Sequence, residues 1–193
     1  MMDSLIGIDW SDGSLLGEPA MRITRTIADL KGVFASEAAR AAMPQATLAY
    51  RVDCFFPVPD GTDGGLFFGA TFLEPGIVAD EYFITKGHFH AKLDTGEYYW
   101  CLRGEGTLLL MDEHRHCRAE RMKAGSLHYI PGRTAHRVAN TCATTLCFGA
   151  CWPADAGHDY ETISRFGFSA RVLRVQDSPV VVSVHQGMGR EVP

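Results

Sequence analysis

Residues 97–111 read EYYWCLRGEGTLLLM. Two runs rich in aromatic and aliphatic residues, Glu97 to Leu102 and Thr107 to Met111, flank Gly104-Glu105-Gly106. Glycine reaches the positive φ that a tight reversal needs, so the stretch predicts two antiparallel strands joined by a short turn. The same pattern runs outward on both sides. Upstream, Leu48 to Phe56 is rich in strand formers and ends at Pro57. The turn cluster Asp60-Gly61-Thr62-Asp63-Gly64-Gly65 precedes Leu66 to Leu73, and Glu74-Pro75-Gly76 closes that run. Glu81 to Thr85 leads into Gly87. Downstream, Ser126 to Ile130 lies between Ala124-Gly125 and Pro131-Gly132, and His136 to Asn140 and Thr144 to Cys151 follow. Short strands at roughly 8–12-residue spacing, with Gly and Pro between them, predict an all-β sandwich or barrel.

The ends of the chain read differently. The stretch to about Ile27 has no sustained periodicity and is expected to be irregular or a short edge strand. Leu30, Val33, Phe34 and Ala38 recur at helical spacing and Pro44 stops the pattern, which predicts a helix over 29–43. Val172 to Val184 reads as a final strand pair broken near Pro179, and Gly187 to Pro193 as a frayed tail. No shift in composition divides the chain. We expect one domain over 1–193, with an N-terminal extension (1–45), a β-barrel core (46–175) and a C-terminal tail (176–193).

Composition excludes several classes. The 193 residues are 46% hydrophobic and 21% charged, which rules out disordered, collagen-like and coiled-coil chains. Mean hydropathy is −0.04, and no apolar run approaches the roughly 20 residues of a membrane-spanning helix. The N-terminus MMDSLIGIDW carries Asp3 where a secretory signal would be basic, so a cytoplasmic location is expected. Lys and Arg total 18 against 23 Asp and Glu, a net charge of −5 and a poor basis for binding nucleic acid. The densest basic run, His114-Arg115-His116-Cys117-Arg118 with Arg121 and Lys123, is interleaved with Glu113 and Glu120 and reads as a solvated hairpin. Six cysteines form no CxxC pair and are expected to be reduced thiols.

The chemistry concentrates in Gly87-His88-Phe89-His90. Alternate side chains of an extended segment share a face, so His88 and His90 point one way and Phe89 the other. Glu97 follows on the next strand, and His136 comes from a later one. Three imidazoles and a carboxylate leave open positions on a metal ion. Such a set suits Fe²⁺, Mn²⁺, Ni²⁺, Zn²⁺ or Co²⁺ better than Ca²⁺. His114 and His116 repeat the spacing in the polar hairpin and read as surface residues. His128 and His185 are assigned no role.

These residues resemble the two signature motifs of the cupin superfamily. The first is His88-x-His90, Glu97 and Gly104; the second is Gly125, Pro131, His136 and Asn140. The gap from His90 to Glu97 is longer than in the general motif, and Arg133 stands where a glycine is usual. The longer gap marks the archaeal-type glucose-6-phosphate isomerases. The resemblance to that family runs from Thr71 to Tyr160. It passes through Glu74-Pro75-Gly76, Asp80-Glu81-Tyr82-Phe83, the run TKGHFHAK (85–92), Tyr129-Ile130-Pro131, Ala135-His136-Arg137 and the run PADAGHDY (153–160). Arg133 and Trp152 occupy positions where the family often has other aromatics.

The resemblance implies a cupin double-stranded β-helix, a jelly-roll barrel, with an N-terminal helix and extra edge strands. It implies interconversion of glucose 6-phosphate and fructose 6-phosphate, a step of glycolysis and gluconeogenesis, by a homodimer with one divalent ion per subunit, Fe²⁺ foremost. His88, His90, Glu97 and His136 would hold the ion. Glu97, His158 and Tyr160 would be catalytic, and Thr71, Thr85, Gly87, Tyr99, Tyr129, Trp152, His158 and Tyr160 would contact the sugar phosphate. Lys92 is a further candidate for the phosphate. Two routes are open: proton abstraction at C2 by Glu97 through an enediol, or a hydride shift that needs no such base. The alternatives are another metal-dependent cupin enzyme, such as an isomerase of different specificity or a dioxygenase, and a non-catalytic sugar-binding cupin.

Overall fold

A computed structural model describes residues 6–17 and 21–184. His185 and the tail expected from Gly187 lie outside the described residues. In chain order the elements are β1 (Gly7–Ile8), β2 (Leu15–Leu16), β3 (Met21–Thr26), α1 (Glu37–Ala42), β4 (Leu48–Phe55), β5 (Leu66–Leu73), β6 (Ile77–Val78) and β7 (Glu81–Tyr82). They continue with β8 (Glu97–Arg103), β9 (Glu105–Asp112), β10 (Cys117–Lys123), β11 (Leu127–Ile130), β12 (Thr134–Asn140), β13 (Leu146–Pro153), α2 (Glu161–Phe166), β14 (Ala170–Val175) and β15 (Ser178–Ser183).

All strand pairs are antiparallel. The largest sheet has the order β11-β8-β13-β5-β4-β3. It shares one core with the three-stranded sheet β10-β9-β12, and the sheet β15-β14-β7-β6 packs at one side. Leu108, Leu110 and Val138 of the small sheet and Tyr99 and Phe148 of the large one belong to that core, so the two sheets pack on each other across it. This is a jelly-roll barrel, as the alternation of short strands and turns predicts. The hairpin that decides it turns at Gly104, whose φ is +85°. A Cβ there would lie 3.0 Å from Leu146 Cα and 3.2 Å from the Thr145 carbonyl oxygen. Glycine is therefore required both for the turn and for the neighbouring backbone.

Two expectations need correction. The helix over 29–43 is instead a 3-10 turn at Ala28–Leu30 and the short helix α1. Leu30 and Phe34 are buried as the spacing implies. Gly32, however, takes φ +77° and breaks the helix between them. Ser36 then starts α1 afresh, its Oγ accepting the Ala39 N–H at 3.1 Å. The basic run around His114 is the hairpin the charge pattern predicts, its second arm the seven-residue strand β10 with Met122 buried. The final strand pair read over Val172 to Val184 is present as β14 and β15, so 178–183 is not tail, and the reversal falls at Gln176-Asp177, both at positive φ, rather than near Pro179. Pro179 sits inside β15, tolerated because β15 is an edge strand and needs no N–H there. No helix among the described residues is long and apolar enough to cross a membrane.

Candidate metal centre

The segment 88–90 is held between two neighbours by backbone bridges. His136 N–H donates to the His88 carbonyl at 3.1 Å, and Asp159 N–H donates to the Phe89 carbonyl at 2.8 Å. Phe89 thus turns into the core while His88 and His90 turn to the other side. Gly87 makes the close approach possible. Its φ is +75°, and a Cβ would lie 2.8 Å from the Phe168 ring and 2.9 Å from Arg137 Cβ.

The ligand-type atoms of His88, His90, Glu97 and His136 all lie within 4.8 Å of one another. Glu97 Oε2 is 3.2 Å from His90 Nε2 and 3.1 Å from His136 Nε2. On their far sides, His90 Nδ1 is 2.9 Å from the Thr95 carbonyl and His136 Nδ1 is 3.3 Å from the Thr134 carbonyl. Those carbonyls orient both rings so that each Nε2 faces Glu97, as second contacts orient metal-binding histidines.

The donor set also fits an ion on energetic grounds. His88 Nε2 and His136 Nε2 are buried and have no hydrogen-bond partner among the described residues, although His136 Nε2 lies 3.1 Å from Glu97 Oε2. A buried polar atom left unpaired costs about 1–3 kcal/mol. A divalent cation among the four groups removes that penalty and takes the carboxylate charge. Burial, reinforced by the neighbouring imidazoles of His136, His158 and His90, pushes His88 well below the ordinary histidine range. It is therefore neutral at pH 7, which is the ligand form. Burial alone would raise the Glu97 carboxyl, but His136 and His90 outweigh it and hold the group ionised, below the usual range.

A cavity of about 170 Å³ opens onto this cluster. Thr71, Thr85, Gly87, Tyr99, Trp152, His158 and Tyr160 line it together with His88, Glu97 and His136. Thr85 Oγ1 accepts the Val138 N–H at 3.0 Å, which leaves the hydroxyl proton free to donate. The rings of His158 and Tyr160 stack in parallel, 6° apart at 5.5 Å, and His158 lies 4.5 Å from the His88 ring. Burial, with His90 and His136 close by, holds His158 below its ordinary range. His158 is exposed at the cavity mouth, with Tyr160 stacked on its ring.

Two sequence-predicted contacts lie elsewhere. Tyr129 is 53% exposed on the outer face of the large sheet, because β11 alternates and turns His128 and Ile130 inward. Lys92 is an exposed residue paired with Asp155, outside the cavity lining. His128 is buried, 2.7 Å from Glu120 and 2.8 Å from Ser126, and fastens the turn between β10 and β11. Arg133 bonds Asp94 and Glu113 on the surface. The lining residues that the sequence reading does not name include three with long polar side chains, Arg25, Tyr50 and Lys86. Lys86 stood inside the most informative motif, next to Gly87. Arg25 and Tyr50 are paired across β3 and β4, and alternation with Ile23 and Val52 was the available signal.

A two-sheet antiparallel barrel with three imidazoles and a carboxylate converging on its inner wall defines the cupin class. The family model "Glucose-6-phosphate isomerase (GPI)" matches residues 24–187. The chain belongs to this glucose-6-phosphate isomerase family. It is 36% identical to the glucose-6-phosphate isomerase of Thermococcus litoralis over 176 residues, covering 91% of this chain and 92% of that protein. It is 38% identical over 178 residues to that of Thermococcus kodakarensis, covering 92% of each. The putative glucose-6-phosphate isomerase 2 of Rhizobium meliloti is 35% identical over 169 residues, covering 86% of this chain and 83% of that protein. Among solved structures, oxalate decarboxylase from Bacillus subtilis aligns with a TM-score of 0.44 at 20% identity, covering 57% of this chain and 26% of that one.

Proposed function

We propose that the protein is a metal-dependent glucose-6-phosphate isomerase that interconverts glucose 6-phosphate and fructose 6-phosphate. The observation that carries this is the convergence of His88, His90, Glu97 and His136 within 4.8 Å at the floor of a cavity lined by hydroxyl donors. Family membership supports the substrate. The ion is one per subunit, Fe²⁺ first, with Mn²⁺, Ni²⁺, Zn²⁺ and Co²⁺ as competent substitutes for a mixed nitrogen and oxygen set. When bound, it supplies Lewis acidity to the oxygens on C1 and C2.

The chain's own residues supply the rest. Thr71, Thr85, Tyr99 and the Gly87 N–H donate to the phosphate. Trp152 closes the wall beside them. His158, neutral near pH 7, takes the proton from the O1 hydroxyl and passes it to the ring oxygen as the ring opens, then carries the O2 proton to O1 as the hydrogen on C2 shifts, with Tyr160 stacked on it to fix its plane. Glu97 Oε2 is shared between His90 and His136 and the residue is only 5% exposed, so it serves the ligand set rather than lifting a proton from carbon. The hydrogen on C2 then passes directly to C1.

The active form is a homodimer in the cytoplasm. Tyr98, Leu127 and Tyr129 stand 48%, 65% and 53% exposed on the outer face of the large sheet, an apolar area suited to a second copy. The reading is tested by a coupled assay of fructose 6-phosphate conversion on purified protein, as isolated, after chelation, and after each metal is restored. Activity lost to chelator and regained with one ion supports it. No turnover with any ion, in a protein that still binds one, overturns it.

A further inference from the structure

Two cations on the cavity wall make no ion pair among the described residues. Arg25 of β3 and Lys86 are both partly buried and both line the cavity. Among the described residues the ion pairs within 4.0 Å use other cations. Arg25 Nη1 donates to the Thr24 carbonyl at 2.9 Å, and Lys86 Nζ stands 5.3 Å from the centre of the Tyr160 ring. Asp29, the acid whose charge both cations feel, has its carboxylate turned to the N–H and hydroxyl of Thr26. Glu97 is the single carboxylate lining the cavity, and it sits in the metal cluster.

The two cations share an anchor. Arg25 is paired with Tyr50 across the strands, and the Tyr50 hydroxyl accepts the Lys86 N–H at 3.4 Å. The ladder shifts register between Arg25 and Thr26, an irregularity of the kind that re-aims a side chain at a site. Like charges gathered in a partly enclosed pocket repel and lose hydration. An anion placed among them offsets both effects.

We infer that Arg25 and Lys86 form the charged half of the seat for the substrate's phosphate dianion, and so determine the preference for a phosphorylated over a free sugar. The positions that match the family there, Thr71, Thr85, Gly87 and Tyr99, are neutral donors. Arg25 comes from outside the matching motifs, which makes the N-terminal strand β3 part of the active site. A guanidinium offers a planar fork to two phosphate oxygens, and the Lys86 ammonium adds a point charge. The sugar therefore lies with its phosphate toward β3 and its C1–C2 end toward the histidines. The identity of the anion rests on the isomerase reading; the anion seat does not.

Two measurements on metal-loaded protein test this: steady-state kinetics with fructose 6-phosphate, and calorimetric titration with inorganic phosphate. The variants are Arg25→Ala, Arg25→Lys and Lys86→Ala. Each Ala change is expected to raise KM about tenfold or more with kcat reduced less than about threefold, and to weaken phosphate binding in parallel. Arg25→Lys recovers part of the loss, which a fold defect would not allow. High salt should raise the wild-type KM more than that of either Ala variant. A fall in kcat at unchanged KM, or phosphate binding equal to wild type in both Ala variants, overturns the inference. Wild-type protein that binds phosphate through Arg25 but turns over no fructose 6-phosphate upholds the seat and removes the isomerase. Turnover indifferent to both changes does the reverse.

Discussion

His136 is the residue on which the centre depends most. It is 1% exposed, its Nε2 has no hydrogen-bond partner among the described residues, and its backbone clamps His88. His136→Ala should lower bound metal from one equivalent to well under half, as read by elemental analysis after gel filtration; full occupancy would exclude it as a ligand. Glu97 is committed to two imidazoles, so the C2 hydrogen should not exchange with solvent. Conversion of glucose 6-phosphate in D₂O should give fructose 6-phosphate with little deuterium at C1, and full incorporation would restore an enediol route through a base. At this scale the sequence was most informative about the cluster of His88, His90, Glu97 and His136, because HxH, Glu97 and His136 each carry a distinct residue type at a distinct spacing. It was least informative about Tyr129. A tyrosine inside a matching motif looks the same whether its strand points it inward or outward, and only the inward turn of Ile130 decides the matter.

Elements were legible where one rule governs them. The hairpin through Gly104 and the strand β5 follow from alternation and turn chemistry alone. The helix over 29–43 failed because its apolar spacing was satisfied in another way. Leu30 and Phe34 reach the core through a 3-10 turn, and Gly32 at φ +77° separates them from the true start at Ser36. A cap therefore matters more here than propensity. Ser36→Ala should cost about 1 kcal/mol, seen as a fall in Tm of about 2–4 °C; an unchanged Tm would mean that α1 is held by tertiary contacts alone. β3 was read as at most a short edge strand because its periodicity spans too few residues. Its place in the large sheet comes from pairing with β4, a contact that no local pattern announces.

Across the whole molecule, burial of thiols sets a limit at high pH. Desolvation pushes Cys54 and Cys101 from 9.0 up to about 11, and Cys147 up to about 12. A raised value means that the folded state holds the proton more tightly than the unfolded chain does. The thiols' contribution is therefore complete below about pH 9 and lost as pH climbs toward 11–12. Stability measured by urea melts should decline over that window, and iodoacetamide at pH 8 should leave these thiols unmodified until the protein unfolds. Rapid native alkylation of Cys147 would contradict the burial described. The architecture as a whole was legible because the turns punctuate it so regularly. The distribution of cations around the cavity was not, because it depends on which residues lack partners, a property of the folded molecule.

The central claim is that one ion held by His88, His90, Glu97 and His136 makes this barrel an isomerase. The most direct measurement is titration of the metal-free protein with Fe²⁺ under anaerobic conditions while fructose 6-phosphate turnover is followed. Activity should start near zero, rise linearly and level at one equivalent per chain, and it should not appear in His136→Ala at that stoichiometry. Undiminished turnover by the metal-free protein, or saturation of the site without any turnover, would contradict the claim.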